Sequence, residues 1–356
     1  MINLGIIGCG WQTEQAHLPV LSRLPGIRPV AACDILTERL ERVQRRFGIQ
    51  RVTPDWTEIM ADPSIDAILI ATPADSHVYL AEAALEANKH LLVEKPFALT
   101  VTEAERLAEK ARLTSAVSMV GLNFRFHPLA SELRALIRRG VVGQPRVVFT
   151  TLTSSLGQRR SITGYEALPD RGGGIFHDKV VHSVDLLRFL FDSDIVEGKA
   201  TACSVYHPHD VARIELVLSN GVWVLGYFCN HAISDMTVQV IGDEGKARIN
   251  LSRPAGVALY HKGFSRSRAT KLLAYIRQTG RLVSAFRYST PAGRLISYSN
   301  QWRHFQDCIE SSRKPQANFA DGLAATRTVA QLISSLPEAP DGQKRQSRKV
   351  AAGKTT

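Results

Sequence analysis

The sequence contains few cysteines, and their positions exclude a disulfide-stapled scaffold. Only five cysteines occur in 356 residues, at positions 9, 33, 203, 229 and 308. None belongs to a Cys-x-x-Cys pair, and no Cys/His group has the spacing of a zinc site. We therefore expect reduced, mostly buried thiols in a reducing compartment.

Long apolar runs are also missing. No stretch approaches about 18 uninterrupted apolar residues, so no membrane span is expected. The opening residues Met1-Ile2-Asn3 lack the basic and apolar regions of a signal peptide, and we expect a cytoplasmic protein. The composition, with 44% hydrophobic and 22% charged residues, is that of a globular chain, and its length suits two domains.

Acidic residues are in the minority, and the net charge is +11. From Arg253 to Arg303 there are ten Lys/Arg and no Asp or Glu, and the last 16 residues carry five Lys/Arg against Asp341. Such a surplus favours an anionic partner. Charge alone leaves nucleic acid, a phosphorylated substrate and a membrane surface open. We predict a helical insertion over residues 267–281 and a basic, disordered tail over 337–356.

Short apolar strands alternate with helices through the first third of the chain. The predicted strands are Leu4–Ile7, Pro29–Cys33, Ala67–Ala71, Leu91–Val93 and Val117–Val120, and the predicted helices include Ser76–Asn88 and Thr100–Ser115. Thr100 followed by Glu103 is the pattern of a capping box. This alternation predicts α/β architecture with a doubly wound parallel sheet and right-handed crossovers.

After Arg125 the pattern changes to longer, alternating strands. The predicted elements are a helix over Pro128–Arg139, strands over Arg146–Thr153, Ala212–Leu218, Val222–Phe228 and Thr237–Ile241, and a helix from Gly172 through Phe191. Asn220-Gly221 is a hairpin turn signal. The second part therefore predicts an α+β domain on an antiparallel or mixed sheet.

A glycine pair follows the first strand directly. Gly8 and Gly10 let the backbone turn tightly and approach a pyrophosphate at the next helix N-terminus, although Thr13 stands where the fingerprint has a third small residue. Asp34 ends the second strand, where a carboxylate accepts hydrogen bonds from ribose hydroxyls. This carboxylate favours NAD, and Arg39 leaves NADP possible if it folds back onto Asp34.

Lys95, within Glu94-Lys95-Pro96, ends another apolar strand. Open α/β sheets bind their ligands at the carboxyl ends of strands. A partly desolvated lysine at this edge could exchange a proton with a substrate hydroxyl. The alternative is an exposed lysine paired with Glu94.

A second chemical pattern follows Gly172-Gly173-Gly174. Asp178, His182 and Asp185 stand at i, i+4 and i+7, on one stripe of a helix. A histidine with a carboxylate one turn away is a tuned proton carrier. A buried structural histidine and a metal pair are the alternatives, but no third ligand is evident and no metal is predicted.

These motifs together resemble the Gfo/Idh/MocA oxidoreductase family, over residues 2 to 335. The motifs are Gly8-Cys9-Gly10, Ala71-Thr72-Pro73 followed by His77, Glu94-Lys95-Pro96, the segment from Gly121 to Pro128, Asp178-x-x-x-His182-x-x-Asp185 and Asp321-Gly322-Leu323. Two departures are Thr13 and Val180, the latter replacing a common glycine; Thr13 could cost some packing at the pyrophosphate.

The resemblance implies an NAD(P)-binding Rossmann domain over 1–123 and an α+β domain over 124–336, with a large open, mostly antiparallel sheet and a C-terminal helix that packs back on the first domain. It implies hydride transfer between NAD(P) and a hydroxyl-bearing carbon of a sugar or cyclitol. The basic stretch from Arg253 to Arg303 suggests a phosphorylated or nucleotide-linked substrate, and an oligomer interface or a solvated face are the alternatives. The open sheet implies a homo-oligomer, a dimer or tetramer.

The family pattern also assigns residues to roles. Lys95 and His182 would handle the proton, and Asp178 would orient His182 or hold a substrate hydroxyl. Arg125 and Tyr165 would join Asp178 and His182 on the substrate side. The expected cofactor-binding residues are Gly8, Gly10, Trp11, Gln12, Thr13, Asp34, Thr72, Pro73, His77, Glu94, Lys95 and Asn123.

Two other functions compete with a dehydrogenase. The first is a non-catalytic dinucleotide-binding regulator of the same fold, against which the intact Lys95, Asp178 and His182 argue. The second is a nucleic-acid binder that uses the basic stretch, but no recognised nucleic-acid motif accompanies the charge.

Overall fold

The computed structural model describes residues 1–155, 171–253, 255–262 and 295–337. Tyr165, the predicted helix over 267–281 and the tail beyond residue 337 lie outside the described residues.

The first part of the chain folds around a six-stranded parallel sheet. Its strands are β1 (Ile2–Ile7), β2 (Ile27–Cys33), β3 (Arg51–Thr53), β4 (Ala67–Ile70), β5 (His90–Val93) and β6 (Ser118–Val120). Their order in the sheet is β3-β2-β1-β4-β5-β6. β1, β4 and β5 are almost wholly buried because helices cover both faces of the sheet, which explains their continuous apolar runs. The predicted doubly wound sheet is confirmed.

Helices connect these strands. They are α1 (Leu18–Leu21), α2 (Thr37–Phe47), α3 (Trp56–Ala61), α4 (His77–Glu86) and α5 (Val101–Arg112). A five-residue π-helical segment, Thr13–His17, precedes α1. The predicted capping box forms at α5, where Thr100 Oγ1 accepts from the Glu103 backbone and the Glu103 carboxylate accepts from the Thr100 backbone.

The second part is built on a seven-stranded mixed sheet. Its strands are β7 (Pro145–Thr153), β8 (Ile195–Cys203), β9 (Val211–Leu218), β10 (Trp223–Cys229), β11 (Asp235–Gly242), β12 (Gly245–Asn250) and β13 (Ala258–His261). Their order is β13-β12-β11-β7-β10-β9-β8; β7 and β10 run parallel, and the other neighbours are antiparallel. The expected α+β domain is thereby confirmed.

Four helices complete the described structure. They are α6 (Pro128–Arg138), α7 (Val181–Phe191), α8 (Ile296–Ser311) and α9 (Phe319–Ser334). α7 packs its apolar face, including Leu186 and Leu187, into the second core. Within the described ranges, no helix has the length and apolarity needed to cross a membrane.

The two C-terminal helices tie the domains together. α9 packs against α5 of the first domain and against α7 and β8 of the second, while α8 packs against α1 and the short 3-10 turn Asn123–Phe126. Gly322 of α9 lies so close to Phe97 that an added Cβ would stand 2.6 Å from the ring. This contact packs α9 against the segment that follows β5.

Candidate active site

The turn after β1 has the shape of a dinucleotide-binding loop. Gly8 has φ of +99°, and a Cβ there would lie 2.5 Å from the Ala71 carbonyl oxygen, so only glycine fits. A Cβ at Gly10 would meet no atom within 4 Å, so the backbone there faces open space. Thr13 is buried, and its hydroxyl donates to the Gly8 carbonyl over 2.6 Å. The packing cost expected of Thr13 is therefore offset by a hydrogen bond within the turn.

Asp34 lies at the end of β2, beside this loop. Its carboxylate accepts hydrogen bonds from the backbone N–H groups of Cys9, at 2.8 Å, and Leu36, at 3.0 Å. Arg39 folds back onto it, with Nη1 3.3 Å from Oδ2. Asp34 thus presents a carboxylate at the carboxyl end of the sheet, with the Arg39 guanidinium next to it.

His77 joins the loops that follow β4 and β5. One ring nitrogen, Nδ1, lies 2.8 Å from the Pro96 carbonyl oxygen, and the other, Nε2, lies 2.9 Å from that of Thr72. The ring is fully buried, and burial lowers the pKa of His77. A neutral imidazole carries one N–H, so His77 donates to one of these carbonyls while its ring lies between Thr72 and the segment that carries Lys95.

Lys95 meets Asp178 across the domain boundary. Its Nζ lies 2.8 Å from Asp178 Oδ1 and 3.2 Å from the Asp178 carbonyl oxygen. Partial desolvation opposes the Asp178 charge, but the ammonium groups of Lys95 and Lys179 hold the pKa of this carboxyl well below its usual range. Asp178 is therefore ionised, and its carboxylate pairs with the Lys95 ammonium.

Glu94 has a different partner. Its Oε1 lies 2.9 Å from His17 Nε2, and Trp302 donates its indole N–H to His17 Nδ1 over 3.0 Å. Because Nδ1 accepts, the proton of neutral His17 resides on Nε2 and is donated to Glu94. Burial opposes the Glu94 charge, but the hydrogen bond from His17 keeps the pKa of Glu94 below its usual value. A Cβ at Gly121 would collide with this carboxylate, which explains the glycine there.

His182 lies one turn beyond Asp178, in α7. Its ring stacks on Phe124 with the centroids 4.4 Å apart. Enclosure in the site and the charge of Lys95 lower the pKa of His182 to about 3, so the imidazole is neutral at physiological pH. Nδ1 is buried and has no partner among the described residues. A neutral imidazole, a carboxylate and an ammonium group therefore come together at the carboxyl end of β5, where they can bind a hydroxyl and accept its proton.

Asp185, the third member of the predicted stripe, serves another purpose. It accepts from Arg125 Nε, at 2.8 Å, and from Nη2, at 2.6 Å. Arg125 also bonds Asp321 and the Gln316 carbonyl and is 5% exposed. The Arg125 guanidinium thus lies in a buried ion-pair network between α7 and α9, and its expected contact with the substrate stays a prediction.

Two residues near the site escaped the sequence analysis. Tyr298 of α8 reaches the glycine-rich loop, where its hydroxyl contacts the Gln12 amide. Lys179 is buried next to Asp178, with Nζ 3.3 Å from Oδ2. Tyr298 belongs to no motif, whereas Lys179 stands inside the Asp178–His182 run and its charge was the available signal.

Asn123 is buried in the turn between the domains. Its Nδ2 donates to Ser297 Oγ over 3.3 Å, and its Oδ1 has no partner among the described residues. Trp11, by contrast, is exposed at the loop. Across the part of the chain that the structure describes, no group of His, Cys, Asp or Glu is placed to hold a metal ion.

Comparisons with known proteins agree with this geometry. Residues 2–122 match an oxidoreductase family with an NAD-binding Rossmann fold, and residues 130–248 match the Gfo/Idh/MocA C-terminal domain. The scyllo-inositol 2-dehydrogenase (NAD(+)) of Bacillus subtilis strain 168 is 31% identical over 344 residues, which is 92% of this chain and 94% of that protein.

Two solved structures share the fold. Levoglucosan dehydrogenase in complex with NADH and levoglucosan has a TM-score of 0.79 at 20% identity, covering 94% of this chain and 96% of the other. The WlbA dehydrogenase from Bordetella pertussis, in complex with NADH and UDP-GlcNAcA, has a TM-score of 0.80 at 16% identity, covering 94% and 95%.

Proposed function

Since the chain belongs to the Gfo/Idh/MocA family of NAD-binding oxidoreductases, we propose that it oxidises or reduces one hydroxyl-bearing carbon of a sugar, cyclitol or sugar derivative, with Lys95 and His182 as the acid/base pair. One observation carries the proposal: Lys95 Nζ lies 2.8 Å from Asp178 Oδ1, one helical turn from His182. The ammonium group of the first domain thus contacts the helical segment of the second that carries the His182 imidazole.

The described residues fit the cofactor. The Gly8 turn and the open space at Gly10 suit a pyrophosphate, and the Asp34 carboxylate suits ribose hydroxyls. Thr72 and Pro73 lie beside the Gly8 turn and lead to His77 at the start of α4, and Trp11, Gln12 and Asn123 complete the proposed cofactor contacts. When bound, NAD supplies the acceptor or donor of hydride.

In the oxidation direction, the chain's own residues handle the proton. Neutral His182 accepts the hydroxyl proton, and Nε2 is the ring nitrogen available for this because Nδ1 is buried. The Lys95 ammonium donates a hydrogen bond to the same oxygen and stabilises the charge that develops on it. Asp178 holds Lys95 in place, and its half-exposed carboxylate can accept a bond from a neighbouring hydroxyl.

The substrate class follows the relatives. The Bacillus relative is named for scyllo-inositol, and the two structural neighbours were solved with levoglucosan and UDP-GlcNAcA. Each of these three molecules contains a ring that carries hydroxyl groups. The basic stretch from Arg253 to Arg303 favours a phosphorylated or nucleotide-linked form of such a molecule.

The second sheet supports a homo-oligomer. On the face away from α7, Trp223 and Tyr227 of β10 are 57% and 52% exposed, and Phe149 of the neighbouring β7 is also exposed. Aromatic residues grouped on an open sheet are typical of a surface that another protein covers. We propose that a second copy of this chain covers it. Trp223→Asp would then lower the mass measured by analytical ultracentrifugation, and an unchanged mass would contradict this assignment.

Absorbance at 340 nm tests the reaction. Wild-type protein should reduce NAD with at least one member of a panel of inositols, hexoses, sugar phosphates and nucleotide sugars. Lys95→Met should lower kcat by about 10³-fold, because acid/base groups typically contribute 10² to 10⁴, while NADH binding by fluorescence changes little. Lys262→Met, at an exposed lysine of the second domain, is the matched control. Full turnover in Lys95→Met would overturn the proposed function.

A further inference from the structure

Lys179 is a buried lysine that the proposed reaction leaves without a role. It lies in the π-helical segment Phe176–Val180 and is 6% exposed. Its ammonium lies 3.3 Å from Asp178 Oδ2, while Lys95 lies 2.8 Å from Oδ1. One carboxylate therefore bridges two ammonium groups, and each oxygen has its own cation.

This bridge limits how the Asp178 carboxylate can turn. Asp178 is half-exposed, so solvent by itself would leave its side chain free to rotate. The contact with Lys179 fixes Oδ2 from within the same segment, which leaves Oδ1 directed across the domain boundary toward Lys95. Burial of the Lys179 ammonium costs desolvation energy, which one ion pair with a half-exposed carboxylate offsets only in part. The burial of Lys179 therefore calls for a reason other than stability.

We propose that Lys179 is a positioning residue for the proposed reaction: its buried ammonium holds the second oxygen of Asp178, keeps the first oxygen on Lys95 and adds one positive charge to the acid/base group. The inference rests on the proposed function. Lys179 acts through Asp178, and Lys95 and His182 remain the groups assigned to the substrate.

The added charge has a definite electrostatic sign. The groups that face His182 are Lys95 and Glu94 from the first domain and Asp178 and Lys179 from its own segment; Phe124, which stacks on the ring, is uncharged. The charges of Lys95 and Lys179 lie close enough to act on both Asp178 and His182. Removal of the positive charge of Lys179 makes the protonated form of each neighbouring group more favourable. The pKa of the group that limits the rate should therefore rise, whichever group that is.

Neutralisation of Lys179 tests the proposal. For hydroxyl oxidation, kcat/KM should rise with pH along one limb of the pH profile. In Lys179→Met this limb should lie about one pH unit higher than in wild type, the shift expected for the loss of one charge several ångströms away. At pH values below this limb, kcat/KM of the variant should be about tenfold lower than that of wild type. At higher pH the difference in kcat/KM between the two proteins should become smaller. Lys179→Arg keeps the charge and should keep the position of the limb.

Control measurements separate this role from a structural one. Thermal unfolding and NADH binding are measured for each variant, and Lys262→Met serves as the surface control. If Lys179→Met does not fold, Lys179→Gln replaces it as a neutral polar variant. If the role of Lys179 is purely structural, its replacement should change the melting temperature or kcat but should not change the pH at which kcat/KM rises. Superimposable pH profiles of wild type and the neutral variant would overturn the inference.

The two proposals fail in different ways. Full turnover in Lys95→Met removes the proposed acid/base pair, and with it the basis for a role of Lys179. If Lys95→Met loses turnover but the pH profile of Lys179→Met matches that of wild type, the proposed acid/base pair stands and only the proposed role of Lys179 is contradicted.

Discussion

Lys95 Nζ and Asp178 Oδ1 lie 2.8 Å apart, although the two residues come from different domains and 83 positions separate them in the chain. The contact joins the end of β5 to the segment that leads into α7. It depends on the arrangement of the two domains, which α8 and α9 hold by packing against both. The site is therefore a property of the whole described fold.

Replacement of the bridging carboxylate tests this relationship. In Asp178→Asn, the side chain keeps its size but loses the charge that Lys95 and Lys179 share. We expect kcat to fall by about 10²-fold, the low end for a group of this kind, with NADH binding little changed. Steady-state kinetics and fluorescence titration measure the two effects. Glu41→Gln, at an exposed position of α2, is the matched control, and a kcat near the wild-type value in Asp178→Asn would contradict the assigned role.

Gly10 allows a test of cofactor binding that leaves the fold intact. A Cβ at Gly10 meets no protein atom within 4 Å, so Gly10→Ala should keep the melting temperature within about 2 °C. The same methyl group would occupy space that the pyrophosphate needs, and the Kd for NADH should rise at least about tenfold, or 1.4 kcal/mol. Differential scanning fluorimetry and NADH fluorescence measure these. Unchanged affinity would place the cofactor elsewhere.

We expect the pair formed by Asp34 and Arg39 to set the preference between NAD and NADP. Asp34→Ser removes the carboxylate that suits the ribose hydroxyls and releases Arg39, which lies 3.3 Å from it. We expect kcat/KM with NAD to fall about 10- to 100-fold, the value of one charge-assisted hydrogen bond, and kcat/KM with NADP to rise. The double variant Asp34→Ser/Arg39→Met should lose the gain with NADP. A gain that persists without Arg39 would contradict the explanation.

The burial of His127 predicts that the free energy of unfolding falls in mild acid. Its Nδ1 accepts from the Leu129 N–H at the start of α6, and burial lowers the pKa of His127 from 6.5 to about 4. The unfolded chain therefore binds a proton between pH 6.5 and pH 4 that the folded chain does not, so stability is complete above pH 6.5 and falls as the pH drops through this window. The loss approaches about 3 kcal/mol at the lower end.

His127→Asn isolates this contribution. Asparagine can cap α6 without titrating, so the variant should lose less stability than wild type between pH 6.5 and pH 4.5 in urea unfolding. Equal losses in the two proteins would show that other groups, such as buried His77, cause the acid sensitivity.

Much of the fold was predictable because its signals are local. The strands β1, β4 and β5 are continuous apolar runs, and the capping box at Thr100 needs only Glu103 three residues later. β8, by contrast, was missed because it lies at the edge of its sheet and its exposed positions carry charged residues, including Glu197 and Lys199. β8 forms a strand because it pairs with β9, and this pairing is not visible in its own sequence.

The sequence by itself determined which chemical groups are present and which lie at strand ends: the glycine turn after β1, Asp34 after β2, Lys95 after β5, and the run from Asp178 to His182. Only the tertiary structure decided how they pair. Arg125 lies with Asp185 in a buried network, Glu94 with His17, and Lys95 with Asp178. The physical reason is that a charged side chain that becomes buried pairs with the nearest group of opposite charge. Which group is nearest depends on packing between distant segments of the chain, which no local sequence pattern shows.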